Sequence, residues 1–189
     1  MNARKLSLLA GSLALILGIL ACVINVGGPA YPTPAIPVST EAVGEMQNAL
    51  ATASAGAVGS GHMTVVLTEP QVTSYLAYKL QQESKPMFTN PQVYLRDGQV
   101  QIYGTATQGY FLATIKIVIT AGVDEQGQLK IVLTSADFGP LPVPAGLKNA
   151  VTTSIQEAYT GAIGPVATGF RLESITVADG SMTVVGQTK

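Results

Sequence analysis

Two stretches of strict alternation, each interrupted by Asp-Gly, constrain this chain more than any other feature. Val93-Tyr94-Leu95-Arg96-Asp97-Gly98-Gln99-Val100-Gln101-Ile102-Tyr103-Gly104 and Ile175-Thr176-Val177-Ala178-Asp179-Gly180-Ser181-Met182-Thr183-Val184-Val185-Gly186 share one pattern: alternate apolar positions, Asp-Gly, alternate apolar positions, glycine. Asp-Gly between alternating runs predicts a hairpin with a two-residue turn, because both turn positions must take positive φ. Such a turn sets Leu95 opposite Val100 and Val93 opposite Ile102. One side of the ribbon is then aliphatic, and Tyr94, Arg96, Gln99 and Gln101 take the other.

The same period continues in a strand over residues 109–121, with Phe111, Ala113, Ile115, Ile117 and Ile119 on one face and Leu112, Lys116 and Val118 on the other. After a turn near Gln126-Gly127, Leu129, Ile131 and Leu133 alternate again, and Met63 to Leu67 reads as a further strand. Helical spacing separates these strands. Ser39 or Thr40 caps a helix to about Ser54, carrying Val43, Met46, Leu50 and Ala53. Thr68-Glu69-Pro70-Gln71 is a capping box with Pro in the first turn, and opens a helix to about Gln82 with the stripe Val72, Leu76 and Leu80 beside Tyr75. Gly139-Pro140-Leu141-Pro142-Val143-Pro144 halts strand pairing, since proline donates nothing to a ladder. Pro144 then opens a helix with Leu147, Val151, Ile155, Ala158 and Tyr159. Residues 64–104 and 131–186 thus each run strand, helix, Asp-Gly hairpin. They predict an α+β domain of two related halves sharing one antiparallel sheet, whose aliphatic face the helices cover.

The N-terminus carries an address. Arg4 and Lys5 precede an uncharged run from Leu6 to Ile24, and Ile19-Leu20-Ala21-Cys22 resembles a lipoprotein box whose cysteine is lipidated after cleavage. Leu20 is bulky for such a box, and Val23, Ile24 and Val26 prolong the apolar run. The run is also long enough for an uncleaved transmembrane helix with its basic end inside. Residues 1–26 are therefore read as signal, lipoprotein or transmembrane anchor, and either route leaves the remainder outside the cytoplasm. Residues 27–40, GGPAYPTPAIPVST, hold four prolines and no charge and read as an extended tether. Residues 41–189 form the domain.

Composition closes off several functions. Of 189 residues only 11% are charged, against about 25% in average domains, and the net charge is -1 with no basic cluster beyond Arg4 and Lys5. That excludes nucleic acid as an expected partner. Cys22 is the single cysteine and His62 the single histidine, so neither a disulfide framework nor a histidine-based triad or zinc site is expected. His62, in Gly59-Ser60-Gly61-His62, reads as a solvated loop residue. No phosphate-cradling or dinucleotide glycine motif occurs. The acids sit in turns and on helix flanks, and Asp137, before Gly139-Pro140, is assigned to bonding local amides rather than to catalysis.

The order TVVLTEPQVTSYL, VYLRDGQVQIYG, GQLKIVL, FGPLPVPAGL and a terminal hairpin resembles the LmeA-like and YpmS-like phospholipid-binding proteins of the bacterial envelope, over about residues 60–188. The resemblance implies a domain like those of the tubular lipid-binding superfamily: a strongly curved antiparallel sheet wrapping helices, with an apolar groove between them. An acyl chain needs only aliphatic walls, each buried CH₂ contributing about 0.8 kcal/mol. The expected walls are Val72, Leu76, Leu80, Val100, Ile102, Ile115, Ile117, Ile119, Leu147, Val151 and Ile155. The same stripes also suit a dry core. The expectation is a non-enzymatic, cofactor-free, membrane-tethered protein that holds, senses or transfers a phospholipid or fatty-acyl ligand. The alternatives are a surface adaptor binding an envelope protein, by strand addition at an open sheet edge, and a hydrolase of envelope polymers.

Overall fold

A computed structural model describes residues 24–143 and 170–188, together with Ala145, Gly146, Asn149 and Thr153. Among these residues the chain is α+β, with two helices and eight strands in a curled sheet that forms a half-barrel around the helices. In order they are β1 (Ile24–Asn25), α1 (Thr40–Ser60), β2 (His62–Thr68), α2 (Glu69–Gln82), β3 (Thr89–Arg96), β4 (Gln99–Gln108), β5 (Phe111–Val123), β6 (Leu129–Asp137), β7 (Phe170–Ala178) and β8 (Ser181–Thr188). The anchor run as far as Val23, Cys22 within it, and most of the expected helix from Pro144, Leu147, Val151 and Ile155 included, lie outside the described residues, while Ile24 and Asn25, read as the end of the anchor, form β1.

Both Asp-Gly hairpins form. Asp97 and Gly98 take φ of 55° and 71°, and Asp179 and Gly180 take 46° and 83°. This is the primed turn whose twist matches that of the flanking strands. Leu95 pairs with Val100 and Val93 with Ile102, as a two-residue turn demands. β4 continues antiparallel into β5, setting Ile102 against Ile117 and Ala106 against Ala113. The two hairpins do not share one uninterrupted ladder. β3, β4, β5 and β6 make one piece, which β1 joins in parallel beside β5, while β7, β8 and β2 make a second. Single bonds stitch them together: Gly180 N–H donates to the Leu95 carbonyl and Leu172 N–H to that of Gly127, each at 2.9 Å.

The helices enter as their caps require. The Ser39 hydroxyl accepts from Ala42 N–H at 3.1 Å, and Thr68 N–H donates to Gln71 Oε1 at 3.0 Å. α1 runs past the expected stop at Ser54 to Ser60, where Gly61, at φ 75°, ends it by donating to the Ala57 carbonyl. His62, expected in a loop, begins β2. Met46, Leu50 and Ala57 of α1 pack on Met63, Val65 and Leu67 of β2 and on Phe170.

On α2 the most buried positions are Thr73, Ser74, Ala77 and Leu80, a stripe that only partly coincides with the expected Val72, Leu76 and Leu80. Hydrogen bonding explains the difference. The Thr73 hydroxyl accepts from Val93 N–H at 3.0 Å and donates to the Val93 carbonyl at 3.4 Å. Glu69 Oε1 accepts from Leu95 N–H at 2.8 Å. These side chains satisfy the backbone of β3 where no strand does. Ser74 Oγ accepts from Ser39 N–H at 3.1 Å and fastens α2 to the start of α1.

The segment read as a tether is docked. Tyr94 and Tyr103 stand side by side on the outward face of the β3–β4 ribbon, rings edge-on with centroids 5.7 Å apart, and Ile36 and Tyr31 pack against them. Tyr94 O–H lies 3.0 Å from the Pro32 carbonyl and 3.3 Å from that of Pro34. Gln92 bonds both backbone groups of Ile36. Residues 24–38 therefore belong to the folded unit as a strand and a strap.

Candidate functional site

The concave face of β3–β4–β5 is built from the alternate residues that the hairpin register selects. Val93, Leu95, Val100, Ile102, Ile115, Ile117 and Ile119 form one continuous apolar cluster with Leu80, and Val72 and Leu76 pack against it from α2. The eight expected wall residues that fall among the described positions are thus brought together. They are packed closely: Ile115 is 0% and Ile117 1% exposed. Leu147, Val151 and Ile155 lie outside the described residues.

Side-chain volume falls along this face. The ladder steps from Val100 opposite Ile119 and Ile102 opposite Ile117 to Gly104 opposite Ile115 and Ala106 opposite Ala113. The Phe88 ring covers Gly104 so closely that a Cβ there would collide with it. Beyond Gly104 the cluster opens. A groove of about 360 Å³ lies over the end of β4, lined by Met87, Ala106, Thr107, Gln108, Phe138, Leu141, Pro142, Val143 and Ala145. Ala106 and Phe138 belong to the core cluster, and Met87 and Leu141 pack on it. The groove therefore continues the packed aliphatic interior at one end, and none of the expected wall residues lines it.

Local chemistry shapes the far wall. Asp137 Oδ1 accepts from Gly139 N–H at 2.8 Å, the role expected of it. Leu141 N–H donates to the Phe138 carbonyl at 3.1 Å. This tight turn brings Phe138, 3% exposed, back over the sheet. Gly139 has φ 58°, and a Cβ on it would lie 2.8 Å from Gly28 Cα, so the turn rests against the backbone that follows β1. Among the described residues no charged side chain lines the groove.

Charged groups gather elsewhere. Glu69 Oε1 sits 3.5 Å from Arg96 Nε, and the Arg96 guanidinium lies over the Tyr94 ring. Burial raises the Tyr94 phenol above its ordinary value of 10.0, with Arg96 opposing. Burial likewise raises Tyr31 and Tyr75. His62 is exposed, with Nδ1 3.9 Å from Glu173 Oε2. Among the described residues no three His, Cys, Asp or Glu side chains gather as a metal site needs, and no helix is long and apolar enough to cross a membrane.

The signal for the groove is present in the sequence as Gly104-x-Ala106 and Ala113, small residues at inward positions of otherwise branched strands. Only the β4–β5 register sets Ala106 against Ala113. No protein-family model matches this sequence, and no curated protein matches it.

Proposed function

We propose that this chain is an extracytoplasmic, membrane-tethered protein of the bacterial envelope that holds a phospholipid or other acyl-chain ligand, for transfer or sensing, without catalysing a reaction. The resemblance to the LmeA-like and YpmS-like lipid-binding proteins and the basic-then-apolar N-terminus support this reading. The observation that carries it is the groove: an uncharged volume of about 360 Å³, continuous with an aliphatic core and placed where inward side chains shrink to alanine. At about 30 Å³ for a group of water's size, it accommodates about a dozen methylenes, which is the scale of a medium acyl chain.

The test is native mass spectrometry and lipid extraction of the full chain purified from membranes, alongside uptake of a fluorescent fatty acid. Co-purifying acyl species and saturable uptake are expected. Protein that is empty in both measurements refutes the proposal.

One observation favours a second reading, an adaptor that adds a partner's strand. Among the described residues β6 pairs only with β5, so its other edge has no ladder partner there. The β3 edge, by contrast, is covered by Thr73 and Glu69. Empty protein that captures an extended peptide along β6 would support the adaptor.

A further inference from the structure

The end of the sheet that holds the groove is also where the chain arrives from the apolar run Leu6 to Ile24. Ile24 N–H donates to the Tyr110 carbonyl at 2.8 Å, and Ile24 pairs with Phe111. Gly109, at φ 61°, and Tyr110 make the two-residue turn between β4 and β5, and Phe111 opens β5. The side chains of Tyr110 and Phe111 are 60% and 45% exposed, Ile24 is 51% exposed, and Val143 on the groove rim is 51% exposed. Phe111 has the inward parity of Ala113 and Ile115, so it prolongs the concave face beyond its last buried residue.

Charge is missing from residues 24–40, 104–115 and 138–143, which meet here, and the segment that brings Met87 to the groove carries only the exposed Glu83 and Lys85 ahead of it. A bare, partly aromatic edge of this kind suits the boundary between headgroups and acyl chains, where tyrosine places its ring in the apolar layer and its hydroxyl in the wet one.

We infer that Tyr110, Phe111 and Ile24 dock into the lipid bilayer interface, so that the groove faces the membrane and an acyl chain passes between them without crossing water. This rests on the membrane-tethered reading above and adds a second contact and an orientation to it. A membrane, rather than a protein, is the indicated occupant because the apolar run that would anchor the chain ends at this same edge. The tip and its own anchor are then held at one surface. With the proline-rich segment docked on the sheet, only Val23 separates Cys22 from the first paired residue.

The chain contains no tryptophan, so Phe111→Trp introduces a single reporter, and Val66→Trp on the outward face of β2 serves as its comparison. Each full-length variant is reconstituted with vesicles of phosphatidylethanolamine and phosphatidylglycerol and separated by flotation. The indole of Phe111→Trp should shift to the blue and be quenched by lipids spin-labelled high in the acyl chain. The indole of Val66→Trp should remain at the solvent-exposed maximum and be quenched by iodide. A chain that floats with vesicles while both reporters behave as solvent-exposed overturns the docking and leaves the anchor intact. A chain that does not float overturns both. As a second variant, Tyr110→Ser with Phe111→Ser should still float and still take up short fatty acids from solution, but lose its uptake from vesicles; unchanged uptake from vesicles overturns the inference.

Discussion

Replacing Ala106 with Leu should shorten the groove without disturbing the fold. Ala106 is the inward residue of β4 at which the packed face gives way to open volume, and it lines the groove directly. Leucine adds three carbon atoms. At about 30 Å³ each they occupy about 90 Å³, a quarter of the 360 Å³ present. An acyl chain would lose contact for about three methylenes, worth about 2.4 kcal/mol at 0.8 kcal/mol per CH₂, which weakens binding by about 50-fold. The assay is displacement of a fluorescent fatty acid by a series from eight to sixteen carbons. In the native chain each added carbon should tighten binding by about fourfold until the groove is filled, after which affinity levels off. In Ala106→Leu the plateau should come about three carbons earlier. Ala106 is 6% exposed and belongs to the core cluster, but it borders the groove, and with the added carbons extending into that volume the urea midpoint should move by less than the equivalent of about 1 kcal/mol. A variant that folds normally and keeps the plateau at its original chain length refutes the assignment of the groove as the acyl site.

Two further substitutions test how α2 and the proline-rich strap are held to the sheet. Thr73→Val keeps the shape but leaves Val93 N–H, bonded at 3.0 Å, without its acceptor; unfolding by urea should show a loss of about 1–3 kcal/mol, with faster amide exchange at Val93, and an unchanged midpoint would show that this bond contributes nothing to holding α2 on β3. Tyr94→Phe removes the hydroxyl beside the Pro32 and Pro34 carbonyls, and near neutral pH should cost about 1 kcal/mol and speed exchange at Ile36 N–H. Its pH dependence has a definite sign. The folded phenol is raised above 10.0 by burial, so its contribution is fully present below that value. It declines as pH rises toward the folded pKa, because the unfolded chain gives up the proton first. Stability measured from about pH 9 to pH 11 should fall less steeply in Tyr94→Phe than in the native chain, and equal slopes would refute a coupled phenol.

Local chemistry makes the hairpins legible in the sequence. Asp-Gly has few conformations between alternating residues, and a two-residue turn leaves one register. Leu95 against Val100 therefore follows from counting, as do the Thr68 cap and the bond from Gly139 N–H to Asp137. Long-range polar bonds leave no such mark. Thr73 and Ser74 look like interruptions of an apolar stripe, yet they are buried because their hydroxyls supply partners that the β3 edge and the start of α1 need. An uncharged, proline-rich segment reads the same whether it is free or docked. What distinguishes the cases is the receiving surface, and alternation alone sets Tyr94 on the outward face with nothing to cover.

The groove lies away from the expected walls for a related reason. Hydrophobicity marks where a chain excludes water, and the most hydrophobic positions, Ile115, Ile117 and Ile119, are those that fill their own space most completely. Room for a guest arises where a strand stays inward-facing and apolar but loses bulk. On β4 that transition runs through Gly104 to Ala106, while Ile115 and Ala113 follow the same gradient on β5. Phe88 reclaims the volume over Gly104, whereas Ala106, with Phe138 beside it in the cluster, still borders open volume. Packing stabilises one end of the curled sheet and thereby leaves the other end open, at the edge where Ile24 brings the chain in from its apolar run. Under the proposed function, the stability of the fold and the capacity of the site are then set by different segments of the same two strands. Their mutational effects should accordingly separate: substitutions at Ile117 should reduce stability before binding, and those at Ala106 binding before stability.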